Sequence, residues 1–288
     1  MVTGLFFNIV TLGCIYVLAA LGFVFLLNAA RSINFAYGEL LLASGLINAW
    51  LLPINKSLTL LLVPAVILGI GIVLVVLSFI FYWPLRNRPI ETIFLSSIGL
   101  GLIIQNLLVL FLGTAPVQLR LFVDPYFELW NILIPKLLLW LAPITTFTVL
   151  VLFCFLHFTK TGLRLQASVQ NPLLAAIYGI RLETTTIICF LIAGCLIATA
   201  GLFLSQQYYL SADQGNDLLL KTYILTIIGG WGRLSGLIFG ALLLGFLDVL
   251  LAFIFSYPLA SIIIYGLLLV LMLLRPKGLI QDIQGQRV

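Results

Sequence analysis

Residues 3–27, TGLFFNIVTLGCIYVLAALGFVFLL, run straight into residues 28–39, NAARSINFAYGE. Twenty-five positions pass without a charge, and then Asn28, Arg31, Asn34, Gly38 and Glu39 crowd into one short interruption before the next apolar run. About 20 apolar residues in a helix suffice to cross ~30 Å of hydrocarbon, so 3–27 reads as a spanning helix. It is too long for a signal-peptide core, has no basic stretch before it and no small-residue cleavage pattern, and is expected to be retained.

The rest of the chain repeats this alternation. Of 288 residues, 63% are hydrophobic and 8% charged, whereas a soluble domain carries roughly 25% charged residues to wet its surface. Fourteen basic and nine acidic residues cannot wet a chain of this size, so most of its surface must face lipid. The basic residues stand singly among apolar runs, which argues against a nucleic-acid surface. Cys14, Cys154, Cys189 and Cys195 all lie inside apolar segments and read as small hydrophobes, not as a disulfide or zinc framework. The expected fold is all-α and polytopic, with about eight transmembrane helices and one or two broken or half-helix elements. Crossings are expected at about 3–27, 38–53, 58–82, 92–112, 137–158, 185–205, 234–255 and 257–274, the last two divided near Pro258. A short apolar element at 218–231 is a half-helix or a tilted ninth crossing.

Lys and Arg set the orientation. Segments 83–91, 159–183 and the carboxy-terminal tail are expected on the cytoplasmic side, which puts the amino terminus outside and ten basic residues inside against four outside: Lys56, Arg120, Lys136 and Lys221. The longest loop is 159–183, so 1–288 reads as a single transmembrane domain. No GxxxxGK[ST] loop is present for nucleotide phosphates, and any energy source must act through a partner or an ion gradient. One histidine and no GxSxG pattern argue against a membrane metalloenzyme or serine hydrolase. No cofactor is expected in this chain.

Several segments are more than apolar filler. The 28–39 break leaves backbone N–H groups that lipid does not tolerate unless they line a cavity or are capped by protein. It reads equally as an ordinary cytoplasmic turn and as the broken helix that lines substrate paths in transporters. In 221–240, KTYILTIIGGWGRLSGLIFG, Gly229 and Gly230 are expected to break the preceding short element, while Gly232, Gly236 and Gly240 form an i, i+4, i+8 packing stripe. Gly38-Glu-Leu-Leu-Leu and Gly240-Ala-Leu-Leu-Leu look like repeated span openings. In 159–183 the pattern is amphipathic: Asn171 suits a helix cap, Pro172 the first turn and Gly179 the end. Such a helix either rests on lipid or receives a cytoplasmic partner. Asp248 is costly in mid-span and should face the bundle interior. Gln105 and Asn106 are expected to bond between helices, and His157 to sit at the interface.

These residues also resemble a known family. Ser32-Ile33-Asn34-Phe35-Ala36-Tyr37-Gly38-Glu39 is similar to the INFAHGE signature of branched-chain amino acid ABC transporter permeases, the LivH-like half. Ser97-Ile98-Gly99 through Gln105-Asn106 is similar to that family's fourth span, and Gly162-Leu163-Arg164 to Leu173-Leu174-Ala175-Ala176-Ile177-Tyr178-Gly179-Ile180 to its coupling loop. Gly229-Gly230-Trp231-Gly232 with Gly236, then Arg275-Pro276-Lys277-Gly278-Leu279, is similar to its carboxy-terminal pattern. Tyr37 stands where the family often has His, and Arg233 where it commonly has Ser.

The resemblance implies a permease subunit of an ATP-driven importer in the bacterial inner membrane. Its partners would be a second homologous permease, two cytoplasmic ATPases that hold the ATP and magnesium, and a periplasmic substrate-binding protein. The implied substrate is a branched-chain or other neutral amino acid, with urea or a short amide as the alternative and an ion-gradient transporter as the more distant rival. The implied substrate pathway is Asn34, Phe35, Tyr37, Gly38, Glu39, Gly229 and Gly230. The implied ATPase coupling loop is Gly162, Arg164, Gln170, Asn171, Ala175, Ala176 and Gly179.

Overall fold

The computed structural model describes residues 2–30, 33–51, 59–86, 88–119, 126–129, 132–230 and 234–274. Helix α1 (Val2–Ala30) covers the first apolar run, and α2 (Tyr37–Leu51) starts directly after the polar break. Helix α3 (Thr59–Leu77) continues as a π turn (Ser78–Tyr82) and a 3₁₀ turn (Trp83–Leu85), and α4 (Ile90–Leu112) follows. Beyond a short hairpin come α5 (Lys136–Phe158), the paired short helices α6 (Lys160–Gln170) and α7 (Pro172–Ile177), and α8 (Leu182–Gln207). The carboxy-terminal part holds α9 (Gly215–Gly229), α10 (Leu234–Ile254) and α11 (Tyr257–Leu274).

The all-α, polytopic expectation holds. Among the described residues six helices are long and apolar enough to cross a membrane: α1, α3 with its extension, α4, α5, α8 and α10. Helix α11 is a shorter apolar element, while α2 and α9 have 15 residues each. At 1.5 Å per residue α9 is about 22 Å long, short of the bilayer core. It is the short element expected at 218–231, whereas 38–53 is expected as a full crossing, of which the structure describes α2 as far as Leu51.

The layering follows from composition. Within the most apolar 18-residue stretch of each helix, 83% of residues are buried in α1 and 67% in α8, against 17% in α3 with its extension and 22% in α4. A helix apolar on every side belongs either at the centre of a bundle or against lipid, and close-packing residues choose between the two. Gly201 on α8 lies so near α2 that an added Cβ would overlap Ser44 Oγ and approach the Leu41 carbonyl at 2.8 Å. Ser44 Oγ in turn lies 2.7 Å from the Leu41 carbonyl and 3.1 Å from the Ile197 carbonyl. Small residues of this kind let backbones approach where no hydrophobic force drives helices together.

Four expectations need correction. Residues 113–136 are more than a loop: β1 (Tyr126–Leu129) pairs antiparallel with β2 (Ile132–Pro135), Phe127 opposite Ile134, as aromatic and β-branched residues favour. Lys221 is no outer-loop cation, being 2% exposed inside α9. Gly240 does not open a span but lies within α10. Asn106 makes its bond within its own helix, to the Leu102 carbonyl at 2.7 Å, so it is not an interhelical tie. His157 ends α5 and stacks on Phe153 at 4.3 Å. Gly232, Trp231, Arg233, Arg31, Ser32 and 275–279 lie outside the described residues.

Candidate functional site

The 33–36 break is capped by side chains from two directions. Asn34 Oδ1 accepts from the Ala36 N–H at 2.9 Å, and its carbonyl accepts from the Tyr37 N–H at 3.2 Å. Ser97 Oγ, on α4, accepts from the Phe35 N–H at 3.0 Å and donates to the Phe94 carbonyl at 2.7 Å. These bonds occupy backbone groups that a helix start leaves without partners. The Phe35 ring meets Phe94 edge-on at 4.4 Å. Tyr37 is fully buried: its hydroxyl donates to the Ala19 carbonyl at 2.5 Å, and its ring meets Phe23 at 5.0 Å. Its side chain therefore anchors α2 to α1.

Gly38 and Glu39 carry the break into contact with α9. A Cβ at Gly38 would overlap the Gly215 carbonyl, and a Cβ at Gly215 would overlap the Glu39 carboxylate. The amino-terminal ends of α2 and α9 thus meet backbone to backbone, and only glycine permits it. Aligned peptide dipoles place partial positive charge at each of these ends. Glu39 is 4% exposed and lies between them. Its partner end, Gly215, was not singled out from the sequence, although Ser211-Ala-Asp-Gln-Gly-Asn-Asp217 is a polar interruption comparable with 28–39.

Beside this junction is a cavity of about 40 Å³, lined by Asn34, Leu40, Ser78, Ser96, Ser97 and Leu100, among others. It has room for roughly three waters, and no leucine fits in this conformation. The π turn of α3 supplies Ser78, Phe81 and Tyr82 to the wall, a local geometry common at functional positions.

Gly229 and Gly230 lie at the other end of α9. Gly229 is its last residue, and Gly230, with φ +79°, caps it through its N–H to the Ile227 carbonyl at 3.2 Å. Gly236 and Gly240 face them: a Cβ at Gly229 would overlap the Gly236 carbonyl, and one at Gly240 would come within 2.9 Å of Gly229 N. The structure thus sets this end of α9 directly against the glycine stripe of α10, away from Asn34.

A buried charge network holds α9 in register. Lys221 Nζ donates to Asp248 at 3.0 and 3.3 Å and lies 3.4 Å from Asp217. The Tyr16 hydroxyl donates to Asp248 Oδ2 at 2.6 Å, and Lys221 also donates to the Tyr257 hydroxyl at 3.2 Å. Tyr257 and Tyr265 both donate to Asp217. Four helices, α1, α9, α10 and α11, are joined through these six side chains. Asp248 alone suggested an interior acid; the cation that answers it became visible only in the fold.

The 159–183 segment forms a separate unit. Thr159 caps α6 by accepting from the Gly162 N–H at 3.0 Å, and Asn171 caps α7 by accepting from the Leu174 N–H at 3.1 Å. Gly179, with φ +77°, ends the turn after α7, and Ala175 is buried beneath it. A Cβ at Gly162 would overlap the Phe155 carbonyl, so α6 folds tightly against the end of α5. Ala176, Gln170 and Arg164 are exposed, and Arg164 borders a shallow groove with Gly179, Arg181 and Thr184. Leu173 and Ile177 are 77% exposed and Tyr178 83%, an apolar tip on a basic loop. The sequence announced α7 but not α6.

Residues 5–273 match the family model for the permease component of branched-chain amino acid transport systems. The high-affinity branched-chain amino acid transport permease LivH of Salmonella typhimurium is 26% identical over 298 aligned positions, covering 98% of this chain and 96% of the relative. BraD of Pseudomonas aeruginosa, a permease of the same description, is 24% identical with the same coverage. A probable LivH of Methanocaldococcus jannaschii is 24% identical over 91% of this chain and 87% of its own length. No solved structure matches. With nearly its whole length matched and its helices built to cross a membrane, this chain belongs to the branched-chain amino acid transport permease family.

Proposed function

We propose that this chain is one permease half of an ATP-driven importer for branched-chain or other neutral amino acids in the bacterial inner membrane. A second homologous permease forms the other half, two cytoplasmic ATPases bind ATP and magnesium, and a periplasmic binding protein delivers the substrate. The observation that carries this reading is the α6–α7 unit. It presents Leu173, Ile177 and Tyr178 outward from a loop that also bears Lys160, Arg164 and Arg181. A compact exposed apolar tip with a polar rim marks a surface that a protein partner covers. Because α6 packs on the end of α5 and α7 on the start of α8, force applied at the tip reaches two membrane helices directly.

The substrate route runs near Asn34, Phe35, Gly38 and Glu39, and the cavity beside Asn34 has room for roughly three waters in this conformation. ATP binding by the partners, transmitted through α6 and α7, separates elements around the break and alternates access between the two sides. Asp248 is a poor site for a coupling proton because Lys221 and Tyr16 already engage it.

Uptake of radiolabelled leucine in cells with and without this chain, under ATP depletion at constant ion gradient, tests the reading. Uptake that needs both the chain and ATP and is blocked by neutral amino acids supports it. Chain-dependent uptake of urea in place of leucine moves the substrate to urea. Leucine uptake that survives ATP loss overturns the importer.

A further inference from the structure

Glu39 is a buried acidic side chain placed where the amino-terminal ends of α2 and α9 meet. Its residue is 4% exposed, and its Oε2 is buried without a hydrogen-bond partner among the described residues. Among those residues the ion pairs are Arg86 with Glu183 and Lys221 with Asp217 and Asp248, so no described cation lies within ion-pair distance of it. Another carboxylate, Asp213, on the segment leading into α9, also acts on it. A buried carboxylate with an open oxygen is costly, and a second acid nearby raises that cost. The two helix ends offset part of it, but they leave Oε2 unfilled.

Its surroundings specify what would complete it. Glu39 Cγ lies 3.7 Å from a Cβ placed at Gly101 of α4. Leu40 and Leu100, the neighbours of Glu39 and Gly101 in sequence, line the cavity beside Asn34 together with Leu74, Leu77 and Phe190, while Glu39 itself is not among its lining residues. A cationic, hydrogen-bond-donating group is what the open carboxylate oxygen lacks, and the ammonium group of an amino acid supplies both properties. Urea and short amides carry no charge for Glu39 to answer.

We propose that Glu39 is the counter-ion for the ammonium group of the transported amino acid, exposed when the Gly38–Gly215 contact opens during the transport cycle. The assignment rests on the importer reading above and narrows its substrate to a zwitterion.

The test uses the assembled importer, this chain with its second permease and ATPases, in proteoliposomes containing ATP and supplied with leucine-loaded binding protein. Glu39→Gln keeps the shape and removes the charge; Glu39→Asp keeps the charge on a shorter stem. The expected result for Glu39→Gln is at least a tenfold loss of leucine uptake, with the ATPases still co-purifying and still hydrolysing ATP. Glu39→Asp is expected to recover at least a third of the wild-type uptake. Glu39→Gln transporting at the wild-type rate overturns the assignment. So does a loss of uptake in both variants that runs parallel to a loss of assembly, which makes the carboxylate a helix cap alone. Wild-type complex that takes up no leucine with ATP present defeats the importer reading itself, an outcome separate from either variant's behaviour.

Discussion

Lys221 and Asp248 show how much one side chain decides in a membrane core. Lys221 is 2% exposed and touches Asp248, Asp217 and Tyr257. Removing one partner of a buried ion pair leaves the other uncompensated, at a cost of about 3–5 kcal/mol. Lys221→Met is therefore expected to lower the thermal unfolding midpoint of the purified complex sharply. Lys221→Met with Asp248→Asn is expected to recover a large part of that loss, because Asp217 keeps its two tyrosine donors. Glycine positions offer a second contrast at this scale. Gly201→Ala drives a methyl into Ser44 and the α2 backbone, and overpacking of this kind costs about 1–3 kcal/mol. Gly69→Ala meets nothing within 4 Å and is expected to be neutral or to gain about 0.5–1 kcal/mol, the helix penalty of glycine. Chemical or thermal denaturation of both variants in detergent checks the difference in sign.

At the scale of elements, α6 and α7 should separate stability from coupling. Leu173→Asp and Ile177→Asp alter residues that are 77% exposed, so their effect on the fold is expected to stay within about 0.5 kcal/mol. Their effect on ATPase retention is expected to be large, at least a tenfold loss in co-purification. Asn171→Ala removes the side-chain cap of α7 and costs about 1 kcal/mol locally; it should reduce ATP-dependent uptake while leaving assembly of the two permeases intact. Pull-down of the ATPases alongside an uptake assay distinguishes the two classes of variant. Helices α2 and α9 are the other telling elements. The start of α2 was legible from the polar break at 28–39 and the end of α9 from Gly229 and Gly230, since a charged or glycine-rich interruption cannot continue a membrane helix. That the start of α9, not of α10, is the counterpart of the start of α2 was not legible, because the leucine pattern after Gly240 imitates the one after Gly38.

The whole molecule is unevenly packed. Helices α1 and α8 carry the core, whereas α3, α4 and α5 are between 17% and 28% buried, and Asn106 stands exposed among Leu102, Ile103 and Leu107 on α4. An amide in mid-helix gains from a protein neighbour in place of lipid. Co-expression with the second permease is therefore expected to raise the unfolding temperature and the monodisperse yield of this chain, by the linkage that binding to the folded state imposes. Equal yield and stability of the chain alone would count against a stable permease pair. The same unevenness explains why composition announced a membrane protein at once yet could not rank its helices: lipid and core demand the same residues.

From the sequence alone came the class, the order of the helices, the breaks at 28–39 and 229–230 and the α7 cap. These depend on local properties: span length, charge, proline, glycine and capping chemistry, all readable within about 25 neighbouring residues. Tertiary structure alone decided that Lys221 answers Asp248, that Ser97 caps the break from 62 positions away, that Tyr37 anchors α2 and that Gly38 meets Gly215. Each of these joins segments distant in the chain, and apolar helices carry little pattern to specify their neighbours. Where every face is greasy, the partners are chosen by close packing and by the few buried polar groups, which can be matched only once the helices stand side by side.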